Sequence, residues 1–540
     1  MTDGTSTRLA KSAGLIGVAT MTSRILGLVR DLLLAHLFGA RNEMDAFNVA
    51  FRIPNIFRDL FAEGAMSAAF VPAFTRRLTL GSRDDAWRLG NQMMNALLVI
   101  TGALAALGVL FASPLAWLIA SEYASVPGKF PLTVQLTRIV FPVLPLIVVA
   151  AVCMGMLNSL HRFFLPALAP AMFNVATIAC ALGLVPVMPL LHLPPIMAIA
   201  IATLLGGIGQ VALQWPRLRQ EGFRYRFMID WRDPALRDVL TLMGPGLIGL
   251  AAVQINLFVN TVLATGQGTG AVSWLNYAFR LMYMPIGLFG VSVATAALPS
   301  LSRLGAEQDL AGMRRTLSSG LRMMLMLNVP ATMGLMTLAW PIIALIFQHG
   351  SFTRGDADAT AVALACYAPG LIGYSAVRLA APAFYALHDS RTPVMVSVVS
   401  VGLNVTLNLA LVQSLGYAGL ALGTATAALF NAGLLLWLLR LRLGGLDEAR
   451  VGAAFGKIVL ASLVMALAAW RLDVLLAAAM PESQASALWT LLVRLVRVTA
   501  DIGGALVVLA LTARLFRLQE LTDALAMLRA RLSRPDKPSL

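Results

Sequence analysis

Apolar stretches of roughly twenty residues recur along the whole chain, separated by short polar turns. Fourteen can be delimited, near 13–37, 44–70, 90–113, 132–157, 164–188, 194–215, 237–264, 272–299, 320–347, 360–386, 394–413, 416–439, 453–475 and 490–513. That length suits helices crossing a bilayer, not the short alternating strands of a barrel. The turns are short, so successive helices should lie antiparallel. The longest polar connection, PRLRQEGFRYRFMIDWRDPALRD, occupies 216–238. The expected fold is an all-α polytopic membrane protein with about fourteen transmembrane helices.

Loop charges give an independent reading of the topology. One set of alternate loops, with both termini, holds Arg76, Arg77, Arg83, Arg88, Arg162, six arginines between Arg217 and Arg237, Arg303, Arg314, Arg315, Arg391, Arg440, Arg442 and Arg450. The opposite loops hold Arg41, Lys129, Arg354 and Arg471. Positive residues collect on the cytoplasmic side, so both termini are expected there and the number of spans should be even.

The pattern also repeats. The tripeptide AFR at 50–52 recurs at 278–280, an offset of 228. Pro72 and Arg76 match Pro299 and Arg303, Leu160–His161 matches Leu387–His388, and Pro166 matches Pro393, each at an offset of 227. Spans 1–6 and 7–12 therefore read as two parallel six-helix repeats, a common transporter plan with the site at the repeat interface. The domains expected are an N-terminal lobe at 1–232, a C-terminal lobe at 233–450, an additional helix pair at 451–515 and a cytoplasmic tail at 516–540. The tail reads either as an amphipathic helix on the anionic inner leaflet or, beyond Arg531, as a disordered end.

Composition narrows the class. Of 540 residues, 59% are hydrophobic and 12% charged, against about 25% charged in soluble domains. The net charge of +15 is explained by the loop arginines and does not call for nucleic acid. Cys153, Cys180 and Cys366 lie in apolar runs without a CxxC pair, and the five histidines lack metal-ligand spacing, so no metal or other cofactor is expected. The first apolar run is interrupted by Arg24 and Arg30 and shows no cleavage site, so the N-terminus is expected to be retained. No Walker loop, HExxH or nucleophile elbow is present, and the chain is expected to transport rather than catalyse.

Charges inside the spans carry the candidate chemistry. Arg24 and Asp31 are seven residues apart, about two helical turns, and share a stripe; Arg52, Asp59 and Glu63 form another. Arg30 and Arg58 widen these faces, and Arg280 is the repeat counterpart of Arg52. At about 2.5–3.5 kcal/mol each, the seven charges on the first two spans would cost roughly 20 kcal/mol facing lipid, so they must face one another or a wet cavity. One reading is internal packing through Arg24–Asp31 and Arg52–Asp59–Glu63 pairs. The other uses the excess of arginine as an anion site, guanidinium being well shaped for phosphate oxygens. Proton coupling is less favoured, because arginine does not titrate and no histidine lies among these charges. Arg494, Arg497 and Asp501 begin the last span and read as interfacial.

The stretches SRILGLVRDLLLAHLFGA, DAFNVAFRIPNIFRDLFAEGAMSAAFVPAF, VSWLNYAFRLMYMPIGLFGVSVATAALPSLSR and FYALHDSRTPV resemble the MurJ (MviN) family, the bacterial lipid II flippases, within the multidrug/oligosaccharidyl-lipid/polysaccharide exporter superfamily. The resemblance extends over nearly the whole chain. It implies two six-helix lobes around a cationic cavity, a final helix pair lining a groove, and movement of undecaprenyl-pyrophosphate-linked disaccharide-pentapeptide to the outer leaflet. It implies Arg24, Arg30, Arg58 and Arg280 as pyrophosphate contacts and matches Glu63 to the acidic residue of the FAEGA block; Asp31, Arg52 and Asp59, read from the helix stripes, are expected to support them. Asp45 and Ser273 match positions associated with the extracytoplasmic gate. Implied partners are lipid II, membrane lipids and cell-wall synthesis or division proteins. Some relatives carry acids around the span-8 arginine, as in ADRLMEFP, where this chain has Phe279 and Tyr283. Two alternatives stay open: export of another polyprenyl-pyrophosphate-linked saccharide, and a membrane scaffold whose arginines are merely paired.

Overall fold

Helix follows helix along the chain, and no strand occurs among the described residues, which in this computed structural model are 3–60, 69–481, 486–518 and 520. The chain divides into two units, Met1–Ser273 with His349–Phe352, and Trp274–Gln348 with Thr353–Leu540.

The first unit contains α1 (Asp3–Phe38), α2 (Asn42–Arg58), α3 (Val71–Leu80), α4 (Arg83–Leu110), α5 (Ala112–Ala120), α6 (Lys129–Val140), α7 (Val143–Ser159), α8 (Phe164–Leu168), α9 (Ala171–Gly183), α10 (Met197–Gln220) and α11 (Pro234–Thr265). Within it α2 packs on α6 and α7, α1 on α9, and α10 on both α7 and α9. Helix α12 (Ala271–Pro285) starts in the first unit and passes into the second after Ser273. The second unit continues with α13 (Val291–Ala306), α14 (Leu310–Thr337), α15 (Ala339–Phe347), α16 (Arg354–Tyr367), α17 (Gly370–Ala386), α18 (Arg391–Leu415), α19 (Tyr417–Leu443), α20 (Glu448–Ala479) and α21 (Ala487–Leu515).

Eight stretches of helix are long and apolar enough to cross a membrane, or ten if each of two bent pairs is one span, among the described residues. These ten fall on predicted spans. The other four predicted stretches, 13–37, 44–70, 237–264 and 272–299, hold the intramembrane charges or reach beyond the described side chains and are not in that count.

Proline places the breaks. The stretch expected as one helix at 320–347 is instead α14 and α15, bent by 74° at Leu338. Pro341 in the first turn of α15 has no N–H for the Thr337 carbonyl, so the helix ends and restarts. Pro114 does the same between α4 and α5, and Phe111 there has nearly the backbone angles of Leu338 (φ −96°, ψ 22° against φ −101°, ψ 19°). Pro142 and Pro369 precede α7 and α17, each 17 residues long. In both units a 28-residue helix, a break and a nine-residue helix follow in order, with starts 227 residues apart (Arg83 and Leu310, Ala112 and Ala339). The recurrent Leu–His pair closes a helix in both units. His161 and His388 take φ of 58° and 56°, and the next N–H groups, of Arg162 and Asp389, reach back to Leu157 and Phe384. That is the left-handed C-terminal cap, so these histidines serve backbone geometry.

Helices α20 and α21 dock on α14. Met326 and Val329 of α14 meet Ile458, Ala461, Met465 and Ala469 of α20 and Ala505, Leu509 and Ala513 of α21. The charges at the start of α21 do not face outward: Arg494, Arg497 and Asp501 are all buried. Arg494 donates to the carbonyls of Ala344 (3.1 Å) and Gln348 (3.3 Å) at the end of α15. Arg497 pairs with Asp473 of α20 at 3.0 Å.

Candidate functional site

Two clusters of polar side chains on the first unit hold most of the residues singled out above. The first lies on α1 and α2. Arg30 donates through Nε (3.0 Å) and Nη2 (2.8 Å) to one oxygen of its neighbour Asp31, and through Nη1 to Asn174 Oδ1 on α9 at 2.9 Å. The Asn174 amide in turn donates to the Ser23 carbonyl at 3.0 Å, tying α9 to α1. Asp31 is buried, so the pair is shielded and its geometry fixed from two helices. Arg24, about two turns before Asp31, is exposed and makes no ion pair among the described residues.

Arg58 repeats the arrangement on α2, with Nε (3.0 Å) and Nη2 (2.7 Å) on one oxygen of Asp59. Its side chain stays a third exposed. The other Asp59 oxygen accepts from Gln254 of α11 at 3.4 Å, and Arg52 donates to Thr261 of α11 at 2.9 Å. Residues 52 and 59 thus climb α2 as 261 and 254 descend α11, an antiparallel ladder. The pairing differs from the stripes read in the sequence: the carboxylates go to the adjacent arginines Arg30 and Arg58, not to Arg24 and Arg52. Adjacent side chains diverge on a helix, but a long arginine side chain curls back to reach its neighbour. Glu63 lies outside the described residues.

Arg280 is exposed on α12, in the second unit. Phe279 and Tyr283, which flank it in sequence, belong to an aromatic cluster of that unit. Phe279 stacks on Tyr283 with centroids 5.7 Å apart and meets Tyr367 edge-on, while Arg378 donates to the Tyr283 hydroxyl at 2.6 Å.

The second cluster surrounds Asp45, which is fully buried. One carboxylate oxygen accepts from Lys129 Nζ (2.9 Å) and from the Gly270 N–H (2.7 Å); the other accepts from the Ser273 N–H (3.1 Å) and hydroxyl (2.7 Å). Asn48, one turn along α2, donates to the Ser273 hydroxyl at 3.2 Å. Lys129, expected among the outer-loop charges, is the first residue of α6, 2% exposed, with its ammonium over the Tyr123 ring at 3.9 Å. A lone lysine just before an apolar run carried no sign of this, because its partner is 84 residues away. No group of His, Cys, Asp and Glu among the described residues could hold a metal ion.

The fold defines a class. An inward-facing multidrug resistance transporter of the MATE family, in the MOP superfamily, shares it with a TM-score of 0.65, at 15% identity over 81% of this chain and 99% of that one. A structure described as the lipid II flippase MurJ in an inward closed conformation matches with a TM-score of 0.74, at 26% identity over 93% and 99% of the two chains. The family profile "Lipid II flippase MurJ" matches residues 34–484. The probable lipid II flippase MurJ of Vibrio cholerae is 36% identical over 437 residues, 80% of this chain and 82% of the relative. The lipid II flippase MurJ of Burkholderia cenocepacia is 37% identical over 454 residues, 83% and 87% of the two chains. The chain belongs to the MurJ lipid II flippase family, a family of transporters rather than catalysts, and is a multi-pass protein of the bacterial inner membrane.

Proposed function

We propose that this chain translocates lipid II from the inner to the outer leaflet of the cytoplasmic membrane by alternating access. Family membership supports the substrate. The single observation that carries the mechanism is the pair of arginines, Arg30 and Arg58, each held by the carboxylate next to it while Arg24 adds an exposed cation. Fixed, partly desolvated guanidinium groups suit a pyrophosphate. In this reading Arg24, Arg30, Arg58 and Arg280 take the pyrophosphate, and Asp31, Arg52, Asp59 and Glu63 orient them. Asp45 and Ser273 close the extracytoplasmic side. The topology proposed is fourteen crossings with both termini cytoplasmic, in lobes at 1–232 and 233–450, a helix pair at 451–515 and a tail at 516–540. A potential negative inside favours exit of the anion by about 2.3 kcal/mol per charge per 100 mV. Cell-wall synthesis or division proteins are proposed partners.

The test is binding of labelled lipid II to the purified protein, wild type against Arg24→Ala and Arg58→Ala, with undecaprenol as the uncharged competitor. Weaker lipid II binding by both variants, and no competition by undecaprenol, is expected. Equal binding by all three proteins would return the arginines to packing.

A further inference from the structure

The Asp45 cluster has two kinds of member. Lys129 belongs with Asp45: α6 and α2 pack together inside the first unit, and the two side chains are 1% and 0% exposed. Gly270 and Ser273 are in the same unit but at its very end, in the turn before α12 and its first turn, and the chain passes into the second unit directly after Ser273. If the start of α12 moves away, Asp45 loses three of its four donors and keeps one.

We propose that Lys129 is the charge-compensating member of an extracytoplasmic latch, a positioning residue that keeps Asp45 ionised and aimed while Gly270 and Ser273 attach and detach. The proposal rests on the gating reading of Asp45 and Ser273. Burial without a cation strongly disfavours a carboxylate, and neutral hydrogen bonds do not replace a full opposite charge. Lys129 supplies that charge at 2.9 Å in the closed arrangement. Tyr123, 1% exposed, covers the other side of the ammonium with its ring face, which stabilises the cation without adding a second anion. Because the lysine travels with the aspartate, the cluster is neutral with or without the α12 N-terminus, and Asp45 meets Ser273 again in the same ionisation state.

Closure is read by disulfide formation in the full-length protein in membranes, using the Asn42→Cys/Thr269→Cys pair. Thr269 donates to Asn42 at 2.9 Å at the exposed rim of this cluster. The native Cys153, Cys180 and Cys366 are replaced by alanine in this background. Lys129→Met should lower the cross-linking rate at least about tenfold, because closure would then bury an uncompensated charge, and Lys129→Arg should retain most of it. The Asp45→Asn/Lys129→Met double variant should cross-link faster than Lys129→Met alone, since neutrality is restored. A lysine that only supports α6 predicts no such recovery, and equal rates for the single and double variants would overturn the proposal. So would wild-type cross-linking by Lys129→Met at normal abundance. If Asp45→Asn and Ser273→Ala slow cross-linking while Lys129→Met does not, the lysine role alone falls; if none of the three changes it, the gating reading falls as well.

Discussion

Asn174 offers a way to separate the charge of Arg30 from its placement. Its Oδ1 accepts from Nη1 at 2.9 Å on the side away from Asp31. The Asn174→Asp change keeps the shape and the bond from Arg30, adds a full negative charge, and gives up the bond to the Ser23 carbonyl. An anion on the remaining edge of the guanidinium would sit roughly 6 Å from that charge, which opposes each unit of anion charge by about 3 kcal/mol at an effective dielectric near 20 and about 0.7 kcal/mol in bulk water. Affinity for lipid II should therefore fall between about threefold and about a hundredfold. The Asn174→Ala change removes a hydrogen bond to a charged group, worth about 1.5–3 kcal/mol of stability, but leaves the charge. Both changes lose the bond to the Ser23 carbonyl and should lower thermal stability, but Asn174→Ala should weaken binding less. Binding isotherms at fixed salt, with melting curves beside them, measure both. If Asn174→Asp binds lipid II like wild type while Asn174→Ala only melts earlier, Arg30 is a packing residue and the anion site lies elsewhere.

Three further outcomes are expected. Gly39 has φ of +61°, and a Cβ there would run into the Ser351 carbonyl, so Gly39→Ala should cost about 1–2 kcal/mol or more and lower the melting temperature; an unchanged melt would refute the close approach. Arg497→Met strands Asp473 beside the fully buried Asp501, which should destabilise by about 3–5 kcal/mol, with partial recovery in Arg497→Met/Asp473→Asn; equal melts for the two variants would contradict the pairing. In the turn before α18, the Thr392 hydroxyl and then its N–H hold the Asp389 carboxyl below its ordinary value of 3.8, with Arg442 close by. A lowered value means the contribution is complete above the ordinary one and lost as pH falls through the lowered one. The stability gap between wild type and Asp389→Asn should thus be constant from pH 7 to 5 and close below about pH 4, and a gap that persists in acid would count against it.

The helical class was legible because apolar runs of bilayer length have few other solutions. The breaks were half-legible. Pro166 and Pro393 stood out as a matched pair, while Pro114 and Pro341, at the same offset, were passed over inside runs apolar enough to read as unbroken helix. Helical spacing placed Arg24 with Asp31 and Arg52 with Asp59. It failed on pairing because a flexible arginine reaches its neighbour, and because acceptors on other helices, Asn174 and Thr261, share the task. Lys129 and Asp45 were each visible, but the bond between them depends on how α2 packs against α6, which no local pattern records. The partners of Arg494 were hidden for a related reason, since no local pattern in α21 announces the carbonyls of Ala344 and Gln348.

The central claim is transport of lipid II by way of the arginines, and outer-leaflet lipid II in cells depleted of their own flippase tests it most directly. Wild type, Arg24→Ala and Arg280→Ala would be compared at equal membrane abundance. Restoration by wild type with loss in both variants is the predicted result. Full restoration by both variants, or no restoration by wild type, would contradict the account.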